Sequence, residues 1–243
     1  MKDSTSKTKS KTGGSRGAGR TSDGSGRERP PRPRAGEPDA PVRPSKRAIR
    51  AAERRQAIVD AALEEFAANG FAAARLDDIA ARAGVGKGTI YLYFADKEAL
   101  FQELVRTAIV PIVGRLGTPP AGMSARMLFE RFIEMFLKEI YQTRRGDIIR
   151  LMVAEGARFP TLAEFYYREV VSRGVAGMQM LIQYGISRGE IVNPDIIKYP
   201  HLMVAPAMLA VIWNGLFGKL APLDVSAMLE LHADLIFGRR SSV

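Results

Sequence analysis

The stretch from Leu76 to Phe94, LDDIAARAGVGKGTIYLYF, constrains this chain more than any other. Leu76, Ile79, Ala80 and Ala83 recur at the i, i+3, i+4, i+7 spacing of one helical face, while Asp77, Asp78, Ala81 and Arg82 face away. That spacing predicts a short amphipathic helix. Gly84 can adopt the positive φ that follows a helix C-terminus, and Val85 offers an apolar plug for the turn. A second helix follows at once, with Ile90 and Phe94 inward and Lys87, Thr89, Tyr91 and Tyr93 outward. A small residue at the crossing (Ala80), a glycine in the turn (Gly84) and a β-branched anchor (Ile90) together predict a helix-turn-helix, whose second helix can enter a major groove.

Apolar spacing alone fits an αα-hairpin inside a bundle equally well. The outward residues argue against it, because Tyr91, Leu92 and Tyr93 in a row put apolar surface into water unless something covers it. Two coverings are compatible with that surface. One is double-stranded DNA; the other is a protein, which would make the chain a helical protein-interaction adaptor using the Tyr91–Tyr93 patch. GVGKGT also invites a phosphate-loop reading, but G-x-x-x-x-G-K-[ST] needs Gly where this chain has Ala81 and Ser or Thr where it has Gly88, and it follows a strand.

With RRQAIVDAALEEFAANGF before it and ADKEALF after it, the stretch resembles the DNA-binding domain of the TetR family of bacterial transcriptional regulators. The resemblance runs from about Arg54 to Phe101 and rests on A-x-x-x-F-x-x-x-G-F, D-I-A-x-x-A-G-V, K-G-T-I-Y-x-Y-F and D-K-E-x-L. It implies base or phosphate contacts from Lys87, Gly88, Thr89, Tyr91, Leu92 and Tyr93 on the recognition helix and from Lys97 on the next. Two positions depart from the family pattern: Ala74 and Arg75 stand where a hydroxyl cap is usual, and Gly86 where Ser is usual. Gly is a fair N-cap and Arg a poor one, so Arg75 enters the candidate set through its guanidinium and Gly86 through its backbone.

The 243 residues suit one large or two small domains. Cysteine is absent and His201 and His232 are the only histidines, which excludes a disulfide framework, a thiolate metal site and a thiol nucleophile. No nucleophile with a base and no metal cluster stands out, so no catalytic residue, metal or cofactor is expected and the chain is not read as an enzyme. The longest apolar run, Leu202–Trp213, contains Pro206 and is too short to span a bilayer; no membrane association is expected and the expected location is cytoplasmic.

Residues 1–50 form a different material, rich in Ser, Gly, Pro, Lys and Arg, and read as a disordered basic tail. They hold 14 Lys and Arg against 5 Asp and Glu, which is nearly all of the chain's net charge of +10. Residues 51–101 read as the helix-turn-helix domain, with 6 basic residues against 8 acidic over 51–100, so phosphate contacts depend on the placement of Arg54, Arg55, Arg75, Lys87 and Lys97. A basic arm beside such a domain can add sequence-independent affinity; a passive solubilising tail is the alternative.

Residues 102–243 carry helical pattern only, giving an all-α chain with a C-terminal helical ligand-binding and dimerisation domain. Helices are expected near Met123–Tyr141, Asp147–Ala157, Thr161–Arg188, Asp195–Tyr199, His201–Lys219 and Val225–Gly238, with a Thr161–Glu164 capping box and caps at Asn193 and Asp224. Its Phe, Tyr and Met content suits both ordinary core and a pocket for an apolar or aromatic effector. Phe132, Phe136, Met152, Glu155, Phe165, Tyr166, Met178 and Trp213 are the candidate liners; Glu155 is the polar candidate for orienting a ligand, with helix capping or an ion pair with Arg158 as the favoured alternative for it. The resemblance places a homodimer interface on the last two long helices, where Met228, Leu229, Leu231, Leu235 and Ile236 exceed one inward stripe. Together these expectations describe a ligand-released repressor that binds a palindromic operator as a homodimer.

Overall fold

The computed structural model of the protein describes residues 45–115 and 122–239, and every regular element among them is helical. The expected tail lies outside them up to residue 44, as does the loop expected at Gly117–Pro120. Helix α1 spans Lys46–Ala73, starting five residues before the sequence periodicity becomes visible; Ser45 caps it, its hydroxyl accepting from the Ala48 N–H at 3.2 Å. Gly70 breaks the helical dihedrals (φ 73°, ψ 167°) and lets Phe71 fold into the core, where it is 1% exposed. Helices α2 (Leu76–Arg82) and α3 (Lys87–Tyr93) form the helix-turn-helix, and α4 (Lys97–Ala108) backs them, capped by Asp96.

The turn obeys its sequence. Ala80 is buried at the crossing, Gly84 has φ 68°, the Val85 N–H bonds the Ala80 carbonyl at 3.0 Å, and Ile90 and Phe94 are buried in the core that α1, α2 and α4 also enter. Phe66, Phe71 and Phe101 form a fully buried ring cluster with centroids 5.4–6.1 Å apart. Replacing any one of these rings by Ala would cost about 3–5 kcal/mol. A buried carboxylate also ties the motif down: Glu65, 5% exposed, accepts from Arg82 at 3.1 Å and from Asn69 at 2.6 Å.

Pro111 interrupts the helix as expected, giving α4 and a short α5 (Val110–Val113). The body follows: α6 (Ala125–Phe136), extended by a π-helical turn at Leu137–Tyr141; α7 (Arg145–Glu155); α8 (Pro160–Tyr166), running through a second π turn at Tyr167–Val171 into α9 (Ser172–Ser187); two 3₁₀ turns (Pro194–Lys198, Pro200–Met203); α10 (Ala205–Phe217) and α11 (Val225–Phe237). Asn193 and Asp224 cap as expected, although Asn193 opens a 3₁₀ turn, not an α-helix. The Thr161–Glu164 capping box does not form. Pro160 takes the first helical position itself, so the helix starts too early for Thr161 to precede it. The helix expected from His201 divides before Pro206, which takes one of the first positions of α10.

Two apolar cores result. One unites α1–α4 with Ile148 and Leu151 of α7, Leu162 and Phe165 of α8 and Val170; the other holds α6, α9, α10 and α11 together around Phe129, Phe136, Met178, Ile182 and Val211. The helix-turn-helix therefore shares its interior with the first helices of the body.

Candidate nucleic-acid interface

Seven residues of α3 determine what this surface can do. At about 100° per residue, Gly88 lies on the side of the helix opposite Ile90, with Tyr91 and Leu92 flanking it within an arc of about 100°. Exposure follows that geometry: Ile90 is 0% exposed, Tyr91 50% and Leu92 83%. Around Gly88 an added Cβ would meet nothing within 4 Å. The helix thus presents a shallow centre between an aromatic and an aliphatic side chain. Thr89 and Tyr93 sit on the flank and are half-buried, Tyr93 packing against the core.

Gly86 starts α3 as its N-cap with extended dihedrals and no side-chain bond, and the exposed Arg75 does the same for α2. The cations are not equally available. Lys87 pairs with Asp77 at 2.7 Å, which raises its affinity for the proton, and Arg75 and Tyr91 lie close enough to affect it. Asp77 keeps one buried carboxylate oxygen without a partner. Lys97 donates to the carbonyls of Phe71 and Ala72 at 2.8 and 2.9 Å and lies 4.8 Å from the Phe71 ring. Its ammonium satisfies carbonyls orphaned by the α1 kink, a structural clamp that the sequence did not disclose. Arg55 bonds Glu103 at 2.9 Å and lies over Phe94.

Arg54 and Arg75 have no ion-pair partner among the described residues. Neither do Lys46, Arg47 and Arg50, which the early start of α1 places on a helix although their composition is that of the tail. Arg50 and Arg54, one turn apart, border a groove whose other wall is Ala83, Gly84 and Val85 of the motif's turn. Ser45 followed by a helix-compatible run was the available signal. The arrangement is an apolar reading helix with cations at its edges: a shape for base edges at the centre and phosphates at the rim.

Residues 58–104 match the family model for bacterial regulatory proteins of the tetR family, and residues 126–227 match that of the AefR-like transcriptional repressor C-terminal domain. The transcriptional repressor SCO4008 of Streptomyces coelicolor is 30% identical over 158 residues, covering 64% of this chain and 77% of that protein. The chain belongs to the TetR family. It is accordingly a DNA-binding transcriptional regulator and not an enzyme. A further relative, the regulator YhgD of Bacillus subtilis, is 26% identical across 74% of this chain and 94% of its own. Among solved structures, a TetR-family regulator from Mesorhizobium loti superposes with a TM-score of 0.55 at 25% identity, over 76% of this chain and 93% of that one.

In this TetR-family regulator the eight candidate ligand liners are not brought together. Phe132, Phe136 and Met178 belong to the second core, while Met152, Phe165 and Tyr166 belong to the first. Burial pushes the Tyr166 phenol well above its ordinary pKa. Trp213 packs against Phe217 and donates its indole N–H to the Ala221 carbonyl at 2.7 Å. Glu155 abuts the α1 kink, with its Oε1 2.7 Å from where a Cβ on Gly70 would be, and pairs with Arg158 at 3.5 Å. No described helix is long and apolar enough to cross a membrane, and no described cluster of His, Asp or Glu could hold a metal ion.

Proposed function

We propose that this TetR-family regulator is a repressor that binds a palindromic operator as a homodimer and is released by an apolar or aromatic small molecule. The observation that carries the DNA half of this reading is the outward face of α3, with Gly88 at its centre and Tyr91 and Leu92 beside it. Phosphate contacts come from Arg75, from Lys87 once it leaves Asp77, and from the amides at Gly86 and Gly88; Thr89 and Tyr93 contribute from the flank. Lys97 acts by holding the end of α1 in place. The domain division at about residues 50 and 101 is retained as a functional one, reading head and effector body, across a shared core.

Repression is supported by the descriptions of the C-terminal family model and of the Streptomyces relative. Dimerisation is supported by the surface of α10 and α11. Leu209, Leu216, Phe217, Leu231 and Leu235 are 44–70% exposed, whereas Leu229 and Ile236 are buried and Met228 is packed inward. The partner-facing stripe is therefore a subset of the apolar residues of these helices. For the effector, the favoured place is the aromatic run Phe129, Phe132, Phe136 and Tyr141, whose successive centroids lie 5.9–6.5 Å apart and which ends at the π turn of α6. A π turn is a local weakness in a helix and a frequent companion of binding sites.

The test is selection of duplexes from a random library by the full-length protein, then gel-shift titration at fixed salt and calorimetry of candidate aromatic effectors with and without the selected duplex. The expected result is one palindromic site, and effectors whose affinity falls when DNA is present, by the factor through which they weaken DNA binding. Selection of no sequence would overturn the operator reading; equal effector affinity in both titrations would overturn release.

A further inference from the structure

The geometry points to Leu92 as a reader of the C5-methyl groups of thymine, so that operator half-sites carry thymine opposite this side chain. This rests on the proposed docking of the outward face of α3. Leu92 is 83% exposed, on a seven-residue helix whose opposite side is fully buried. Its side chain has no donor and no acceptor, so it can neither bond a phosphate nor read a base by hydrogen bonding. In the major groove the apolar feature that distinguishes one base from the rest is the thymine methyl. Gly88, one turn before Leu92 on the same face, adds no atoms beyond the backbone and leaves open space there, so the helix axis can lie close to the base edges and the leucine can reach them. Arg75 and Lys87, at the start of the two motif helices, carry the charge and the hydrogen-bond donors that Leu92 lacks.

Taking one thymine methyl away from the leucine forfeits burial of about one methylene equivalent, roughly a fourfold loss of affinity, and about fifteenfold where two side-chain carbons are uncovered. The experiment replaces thymine by deoxyuridine, one position at a time, in the duplex selected by the full-length protein, and titrates each duplex with parent, Leu92→Ala and Leu92→Met proteins. The parent is expected to bind about fourfold to fifteenfold more weakly at one or two thymines per half-site. Leu92→Ala is expected to bind the thymine duplex weakly and to be indifferent to deoxyuridine at those positions, while Leu92→Met keeps the sensitivity. The exposed side chain makes a folding defect in Leu92→Ala small, which thermal unfolding verifies.

Parent affinity for every deoxyuridine duplex would overturn the inference. So would a Leu92→Ala protein that keeps full affinity and methyl sensitivity, which would place Leu92 against something other than a base, such as a protein. Failure to select any duplex would instead overturn the operator reading on which it rests.

Discussion

Gly88→Ala should stabilise the free protein and weaken its DNA binding at once. The substitution adds a Cβ in open space with an ordinary helical φ, so nothing in the fold opposes it. Glycine in a helix interior costs about 0.5–1 kcal/mol relative to alanine, and that cost is recovered. For a domain of this size the midpoint of thermal unfolding should rise by about 1–4 °C. On DNA the same methyl stands at the centre of the reading face. A carbon there must keep about 3.5–4 Å from any atom of the groove, which pushes the helix outward and lifts its reading face away from the base edges. One good base contact is worth about 1–3 kcal/mol, so affinity should fall by roughly 5-fold to 150-fold. Gly84→Ala is the control, since its site is equally open but its φ is 68°, where a side chain is strained, so it should lower the midpoint. Differential scanning calorimetry and gel-shift titration read both quantities. A Gly88→Ala protein that is more stable and binds the operator undiminished would refute the docking of this face.

Deleting residues 1–44 should leave sequence preference intact and flatten the plot of log K against log salt by about 0.9 for each phosphate that the tail had neutralised; an unchanged slope would make the tail a passive linker. Leu216→Glu combined with Leu235→Glu places charges on two side chains that are 65% and 70% exposed, so sedimentation should find folded monomers, and a dimer persisting in this variant would relocate the interface. Gly185→Ala should destabilise by about 1–3 kcal/mol, because its Cβ would sit 2.9 Å from Ile191 and 3.0 Å from Ala125; denaturant titration measures it, and a neutral result would mean that α6 and α9 separate easily. His232 is held neutral by burial, which lowers its pKa below 6.5. The unfolded chain therefore binds the extra proton first, and unfolding midpoints should fall as pH drops through about 6.5, a dependence that His232→Gln should reduce.

The helix-turn-helix was legible because its constraints are local: a glycine at positive φ, a small residue at a crossing and apolar spacing each leave a mark within a few residues. The bonds of Lys97 to the end of α1 were not, since they depend on a kink at Gly70 that is distant in sequence. The extent of α1 was missed because Lys46, Arg47 and Arg50 have the composition of the tail and contribute no apolar stripe. Aromatic content announced large side chains in the body but not their partners, and the structure divides them between two cores. Of the apolar residues on α11, spacing alone could not tell Leu229 and Ile236, turned inward, from Leu231 and Leu235, turned outward.

Release by an effector requires an element that has two arrangements and touches both sites. The end of α1 is where the reading head meets the body. Phe71 stacks edge-on against Phe159 at 4.9 Å and packs against Phe66 and Phe101, Glu155 abuts Gly70, and Arg106 of α4 lies 4.9 Å from the Phe165 ring. Lys97 binds the Phe71 and Ala72 carbonyls, so the start of α4 is held to the same turn. Magnitudes limit how this joint can work. Coupling of about 1–3 kcal/mol accounts for a typical allosteric effect, whereas opening the ring cluster would expose three phenylalanines at about 1.5–3 kcal/mol each. An effector therefore cannot act by loosening the head from the body, because its differential binding energy is smaller than the packing it would have to break. In the release proposed here, α1 and α4 move as one rigid piece with α7 and α8. What changes is the angle at which the two reading heads of a dimer are presented, and the operator's fixed half-site spacing converts that angle into weaker binding.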